Sequence, residues 1–259
     1  MTTLENKMID LLLDLKKKHG VVGLKAEFET EAVRMTEMMR LKEVVDKAGL
    51  GLIIKIGGAE AITDMFEAQH IGVVGLIAPM IESPYSMTKY LEAVKKYFAK
   101  DVRRGMFFGV NIETYQGYQC LEDILKLEQI KLVNTITLGR VDMSGSLGLG
   151  RNGINSDKLY EIAEKMFTMA KKKGFKTTMG GGIAAEALPF IKKLVSKKLL
   201  DRFETRKIVF NVPKSFRNVE KGIKKANMFE LLWLENKKNY YSTICHEDDS
   251  RIEMLKTRV

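Results

Sequence analysis

Cysteine is nearly absent from the chain. Cys120 and Cys245 are the only two in 259 residues, too few for a disulfide framework, and neither has a partner at metal-ligand spacing. Cys245 and His246 are adjacent, which is the wrong spacing for a zinc site. Proline is scarce as well, at four, while 45% of residues are hydrophobic and 29% charged. That balance describes a packed globule and excludes a disordered chain. No long apolar run is present: the longest, over residues 72–81, is about half of a membrane span, so no membrane partner is expected. The N-terminal stretch carries Glu5, Asp10 and then Lys16-Lys17-Lys18 with no apolar core, so no signal peptide is expected. These absences point to a reduced, cytoplasmic protein. No linker or low-complexity stretch divides it, so residues 1–259 are read as one domain.

The net charge is +10. Its lysines fall in short groups (16–18, 171–173, 197–198, 224–225, 237–238) near the ends of apparent helices, where cations complement the helix dipole. No basic segment interleaved with aromatics occurs, so no nucleic-acid partner is expected. The charge favours an anionic small molecule.

Short apolar strands alternate with amphipathic helices. Strands are predicted at 21–28, 52–56, 73–78, 106–112, 133–141, 175–179, 206–210 and 231–234. Helices are predicted at 8–18, 31–47, after Gly58 through 68, after Pro84, and at 155–173, 184–199, 214–226 and 247–257. Eight strands separated by helices require a parallel sheet with crossovers, and the length suits a closed (β/α)8 TIM barrel. No glycine-rich phosphate turn follows the first strand, which argues against an open doubly wound sheet. The barrel is expected over about 20–236, with an N-terminal helix before it and a C-terminal helical extension over about 237–259. The fifteen methionines fall mostly at helical spacing and are read as core; His19 is read as a surface residue and His70 as a helix C-terminal cation.

In such a barrel, chemistry sits where strands end at the C-terminal face. Alternation points Lys25, Glu27 and Glu29 to one side of the first strand. Lys55 interrupts the apolar second strand, Asn111 and Glu113 share a face of the fourth, and Asp142 follows the fifth. Carboxylates at the same end of adjacent strands outline a site for a hard cation such as Mg²⁺ or Mn²⁺. The glycines at 180–182 suit either an anion-binding nest or a tight turn. Glu204-Thr205-Arg206, opening the predicted seventh strand, is read as structural.

Three segments in order, Ile77-Ala78-Pro79-Met80-Ile81-Glu82-Ser83, Val110-Asn111-Ile112-Glu113-Thr114 and Leu138-Gly139-Arg140-Val141-Asp142-Met143-Ser144, resemble the HpcH/HpaI aldolase and citrate lyase beta-subunit family. The likeness runs over about residues 23–190. It implies that Glu113 and Asp142 hold a divalent cation, with Lys55, Asn111, Pro79, Gly139 and Arg140 around the substrate. It also implies a metal-dependent aldolase acting on pyruvate, or a related 2-oxoacid, and an aldehyde, in a homo-oligomeric (trimeric or hexameric) assembly whose last helix packs on a neighbouring barrel. Two departures mark the chain as divergent. Lys55 stands where the aldolases have an Arg, and Thr30 stands where they have a His that moves a proton. The proton is then left to a carboxylate, Glu27 or Glu29, or to a water activated by the cation, with the water route expected. A Schiff base on Lys55 is the rival chemistry. An acyl-CoA lyase of the citryl-CoA or malyl-CoA kind and a non-catalytic barrel that binds metal and 2-oxoacid are the alternative functions.

Overall fold

In the computed structural model, which describes residues 1–212 and 218–258, eight strands close into a barrel in the order β1 to β8. The strands are β1 Val21–Glu27, β2 Gly51–Lys55, β3 Gly75–Ala78, β4 Phe107–Ile112, β5 Thr135–Gly139, β6 Lys176–Gly180, β7 Arg202–Glu204 and β8 Ile208–Asn211. The helices are α1 Thr3–His19, α2 Met35–Lys47, α3 Ile62–Ile71, α4 Pro84–Tyr97, α5 Lys100–Gly105, α6 Tyr115–Gln119, α7 Leu121–Ile124, α8 Arg140–Ser146, α9 Asp157–Lys172, α10 Leu188–Ser196, α11 Val219–Glu247 and α12 Asp249–Lys256.

Each strand has two buried faces. The outward one, with Leu24, Leu52, Ile54, Leu76, Val110, Ile136 and Leu138, packs into one core with the helices, joined by Met8, Met38, Met65, Met87, Met143 and Met166. The inward one is apolar only at the N-terminal end of the barrel, where Ile53, Ile77 and Val209 meet half-buried Phe107. Local sequence sets the helix ends. Thr2 and Glu5 form a capping box on α1, and Gly20, at φ 66°, stops it in the left-handed conformation. Ser83 caps α4 with Pro84 in its first turn.

Strands β1 to β7 pair in parallel, as expected. The eighth does not. β8 runs antiparallel to both β7 and β1. Only Thr205, Arg206 and Lys207 separate β7 from β8, and so short a connection joins antiparallel neighbours alone. The predicted seventh strand at 206–210 is therefore the eighth strand of the barrel, and the true seventh, three residues long, gave too little pattern to read. The predicted strand at 231–234 lies inside α11, where Trp233 is buried while Leu231 and Leu234 are exposed. Of the helix predicted at 214–226, residues 214–217 lie outside the described residues; α11 runs from Val219.

Helix α11 lies along α1. The start of the expected C-terminal extension packs on its own barrel: Lys237 Nζ stands 2.9 Å from Glu37 Oε2 on α2, Tyr241 donates its hydroxyl to the same carboxylate, and the Arg34 guanidinium sits 4.8 Å from the Tyr241 ring centre. His19, expected at the surface, is buried under α11, with Nδ1 3.3 Å from the Asn218 carbonyl oxygen. No helix among the described residues is long and apolar enough to cross a membrane.

Candidate active site

The parallel strands end around a polar cavity of about 830 Å³. Register builds its wall: Glu27 of β1 is level with Lys55 of β2, and Asn111 of β4 with Thr137 of β5. Lys55 Nζ lies 3.3 Å from Glu27 Oε2 and 2.9 Å from Glu29 Oε2. Glu27 Oε1 is 3.2 Å from Lys25 Nζ, and Lys25 also donates to Glu204 Oε1 at the end of β7. Five charges of alternating sign thus run from β7 across β1 to β2, and Lys25, Glu27, Lys55 and Glu204 are all buried. Burial alone would make the Lys25 ammonium easier to deprotonate, but Glu204 and Glu27 outweigh it and raise its pKa. Lys55 is raised in the same way, Glu27 and Glu113 overcoming its burial. Glu27 responds in reverse: burial pushes its pKa up, and Lys25 and Lys55 outweigh this and pull it below the usual carboxylate range.

Glu113, just past β4, is buried, and its Oε1 accepts the Met80 backbone N–H at 3.1 Å while Oε2 accepts from Asn111 Nδ2 at 3.1 Å. Met80 reaches it from a left-handed conformation, φ 48°, immediately after Pro79. Burial raises the Glu113 pKa against the pull of Lys55 and the Met80 N–H, and the neighbouring Asp142 charge pushes the same way. Asp142 stands exposed in the first turn of α8. Gly139 makes room for the pair: a Cβ there would lie 2.8 Å from Glu113 Cβ.

Among the described residues no three His, Cys, Asp or Glu side chains converge as a complete metal-ligand set. Glu113 and Asp142 nevertheless fit a divalent cation. A buried carboxylate that resists ionisation beside a second one is stabilised by a cation, and an octahedral ion leaves its other positions to water and substrate. Asn111 Oδ1 is buried and has no hydrogen-bond partner among the described residues. Since the neighbouring carboxylate takes the amide N–H, this oxygen is an acceptor, so it suits a ligand water and not a keto oxygen.

The structure brings Lys55, Glu27, Asn111, Glu113, Asp142 and Gly139 to one cavity, and Thr30, where the resembled aldolases have a His, lines it too. Three expectations fail. Glu29 does not line the cavity and meets it only through Lys55, whose Nζ is 2.9 Å from Glu29 Oε2. Pro79 does not line the cavity, its contribution being the turn that aims Met80. Arg140 is completely buried and does not line the cavity, lying behind residues that do. Its Nη1 donates to Ile154 O and Asn155 Oδ1, its Nη2 donates to Gly181 O and Gly182 O, and burial brings its pKa down to about 10. It clamps the 180–182 turn, in which Gly181 and Gly182 take φ 79° and 62°, so those glycines serve a tight turn.

Sequence reasoning missed Glu204, read as structural because the seventh strand was misplaced, as well as Thr137 and the α11 residues Asn227 and Glu230, which also line the cavity. The alternation Thr135-Ile136-Thr137 was a usable signal for Thr137. Nothing local marks Asn227 or Glu230.

The sequence matches no family model and no curated protein. The fold is nonetheless that of the HpcH/HpaI aldolases. The chain is similar to the HpcH/HpaI aldolase of Desulfitobacterium hafniense (TM-score 0.58, 17% identity, 82% of this chain and 94% of that one). It is also similar to an HpcH/HpaI aldolase/citrate lyase family protein of Burkholderia cenocepacia (TM-score 0.59, 13% identity, 86% and 99%). A third similar structure is the citrate synthase SbnG (TM-score 0.59, 15% identity, 84% and 97%).

Proposed function

We propose that the protein is a divalent-cation-dependent carbon–carbon lyase, an aldolase that cleaves or forms a 4-hydroxy-2-oxoacid from pyruvate, or a related 2-oxoacid, and an aldehyde. The observation that carries this reading is the buried Glu113 carboxylate beside Asp142 at the C-terminal ends of β4 and β5. The similar aldolase and citrate synthase structures, which share the fold, support it. When bound, Mg²⁺ or Mn²⁺ supplies a Lewis acid for the 2-oxoacid.

The protein's own groups do the rest. Glu113 and Asp142 hold the cation, the Met80 N–H and Asn111 Nδ2 fix the Glu113 carboxylate, and Asn111 Oδ1 accepts from a water. Lys55 meets the substrate carboxylate with a charge less directional than the fork of an arginine. Its two carboxylate neighbours keep it an ammonium, so its lone pair is withheld from Schiff-base chemistry. Glu27, held ionised by two lysines, is a poor proton acceptor. A homo-oligomer and a cytoplasmic location belong to the same proposal; light scattering reads the first.

The test is titration calorimetry with Mn²⁺ followed by hydrogen–deuterium exchange at the pyruvate methyl group. Wild type is expected to bind the cation and to exchange only when loaded, and Glu113→Gln to lose both. Full cation affinity and full exchange in Glu113→Gln would refute the reading.

A further inference from the structure

Lys55 is the one cation assigned to the substrate carboxylate, yet its ammonium already has two carboxylate neighbours, Glu27 at 3.3 Å and Glu29 at 2.9 Å. The two are held very differently. Glu27 belongs to the β1 ladder, level with Lys55, is buried, and spends its other oxygen on Lys25, which Glu204 fixes in turn. To move it would break a buried network. Glu29 lies beyond the strand end, its side chain is 30% exposed, and among the described residues its Oε2 has no hydrogen bond beyond the ion pair with Lys55. Its backbone is anchored separately, with its carbonyl accepting the Ala32 N–H at 3.1 Å and the Phe28 N–H donating to the Lys55 carbonyl at 3.0 Å. The side chain can therefore swing away while the loop stays in place.

We propose that Glu29 is an internal stand-in for the substrate carboxylate: it occupies Lys55 in the free protein and is displaced by the incoming 2-oxoacid. The inference rests on the reading of Lys55 as the carboxylate-binding group. Electrostatics favours the exchange. With Glu27, Glu29 and Glu113 all acting near Lys55, a further carboxylate arriving without a departure adds like charges to a buried site. Displacement swaps one carboxylate for another and leaves the charge around Lys55 unchanged. Glu29 thus sets the affinity for small 2-oxoacids, weakening it by the strength of one partly exposed ion pair. Removing such a competitor is expected to tighten binding by roughly two- to fivefold.

The sign of this effect separates it from the other uses of Glu29. A general base would leave binding alone and stop turnover when replaced, and a structural group would weaken binding and lower Tm. The experiment is calorimetric titration of the Mn²⁺-loaded protein with pyruvate, for wild type, Glu29→Gln and Glu29→Ala. Both variants are expected to bind pyruvate more tightly than wild type, and KM is expected to fall. Unchanged or weaker binding in both variants, with wild type binding normally, overturns the displacement and leaves the role of Lys55 standing. Failure of pyruvate to bind loaded wild type overturns the reading of Lys55 and this inference with it.

Discussion

Gly139 and Glu113 share one space: a Cβ on residue 139 would lie 2.8 Å from Glu113 Cβ, closer than two such atoms approach. The absence of a side chain on Gly139 of β5 is therefore what leaves room for the Glu113 carboxylate. Gly139→Ala is expected to fold and to push Glu113 aside. The loss in Mn²⁺ affinity should be about 10-fold or more, the range found for residues that orient ligands, as read by calorimetry. Wild-type affinity in this variant would show that the two residues do not compete for the space.

Glu27→Gln tests the proton route. Because Lys25 and Lys55 hold Glu27 ionised, it is a poor base, and its replacement should lower kcat by less than Glu113→Gln does. Turnover abolished in Glu27→Gln with metal and pyruvate still bound would make Glu27 the base.

Thr137 carries a buried hydroxyl that has no hydrogen-bond partner among the described residues. Thr137→Val keeps the shape and removes the unsatisfied group, so stability should rise by about 1 kcal/mol, or about 2–4 °C in Tm. A drop in Tm would mean that the hydroxyl is bonded in solution.

His19 gives the fold a pH dependence. Burial, followed by the nearby Lys225 charge, lowers its pKa against the Asn218 carbonyl and Asp14. The folded state thus favours the neutral ring, while the unfolded chain takes up the proton near pH ~6.5. Stability is complete above that pH and is lost as pH falls through the lower folded pKa. Urea midpoints at pH 7.5 and 5.5 should differ in wild type and differ less in His19→Gln. Equal pH slopes in the two would remove His19 as the cause.

The sequence by itself determined the parallel part of the barrel and the polar residues at its C-terminal face. Strands β1 to β6 and the inward set Glu27, Lys55, Asn111 and Glu113 were legible because alternation within a strand and position at its end are local properties. Tertiary structure decided the remainder. The reversal of β8, and with it the delivery of Glu204 to Lys25, depended on a three-residue strand too short to carry a pattern. The 231–234 run reads as a strand or a buried helix equally well, and only packing along α1 made it helical. Arg140 follows a strand end as a substrate ligand would. Whether its guanidinium turned to the cavity or to the carbonyls of Gly181 and Gly182 was settled by which acceptors the folded chain left unpaired, and those lie about 40 residues further along the sequence.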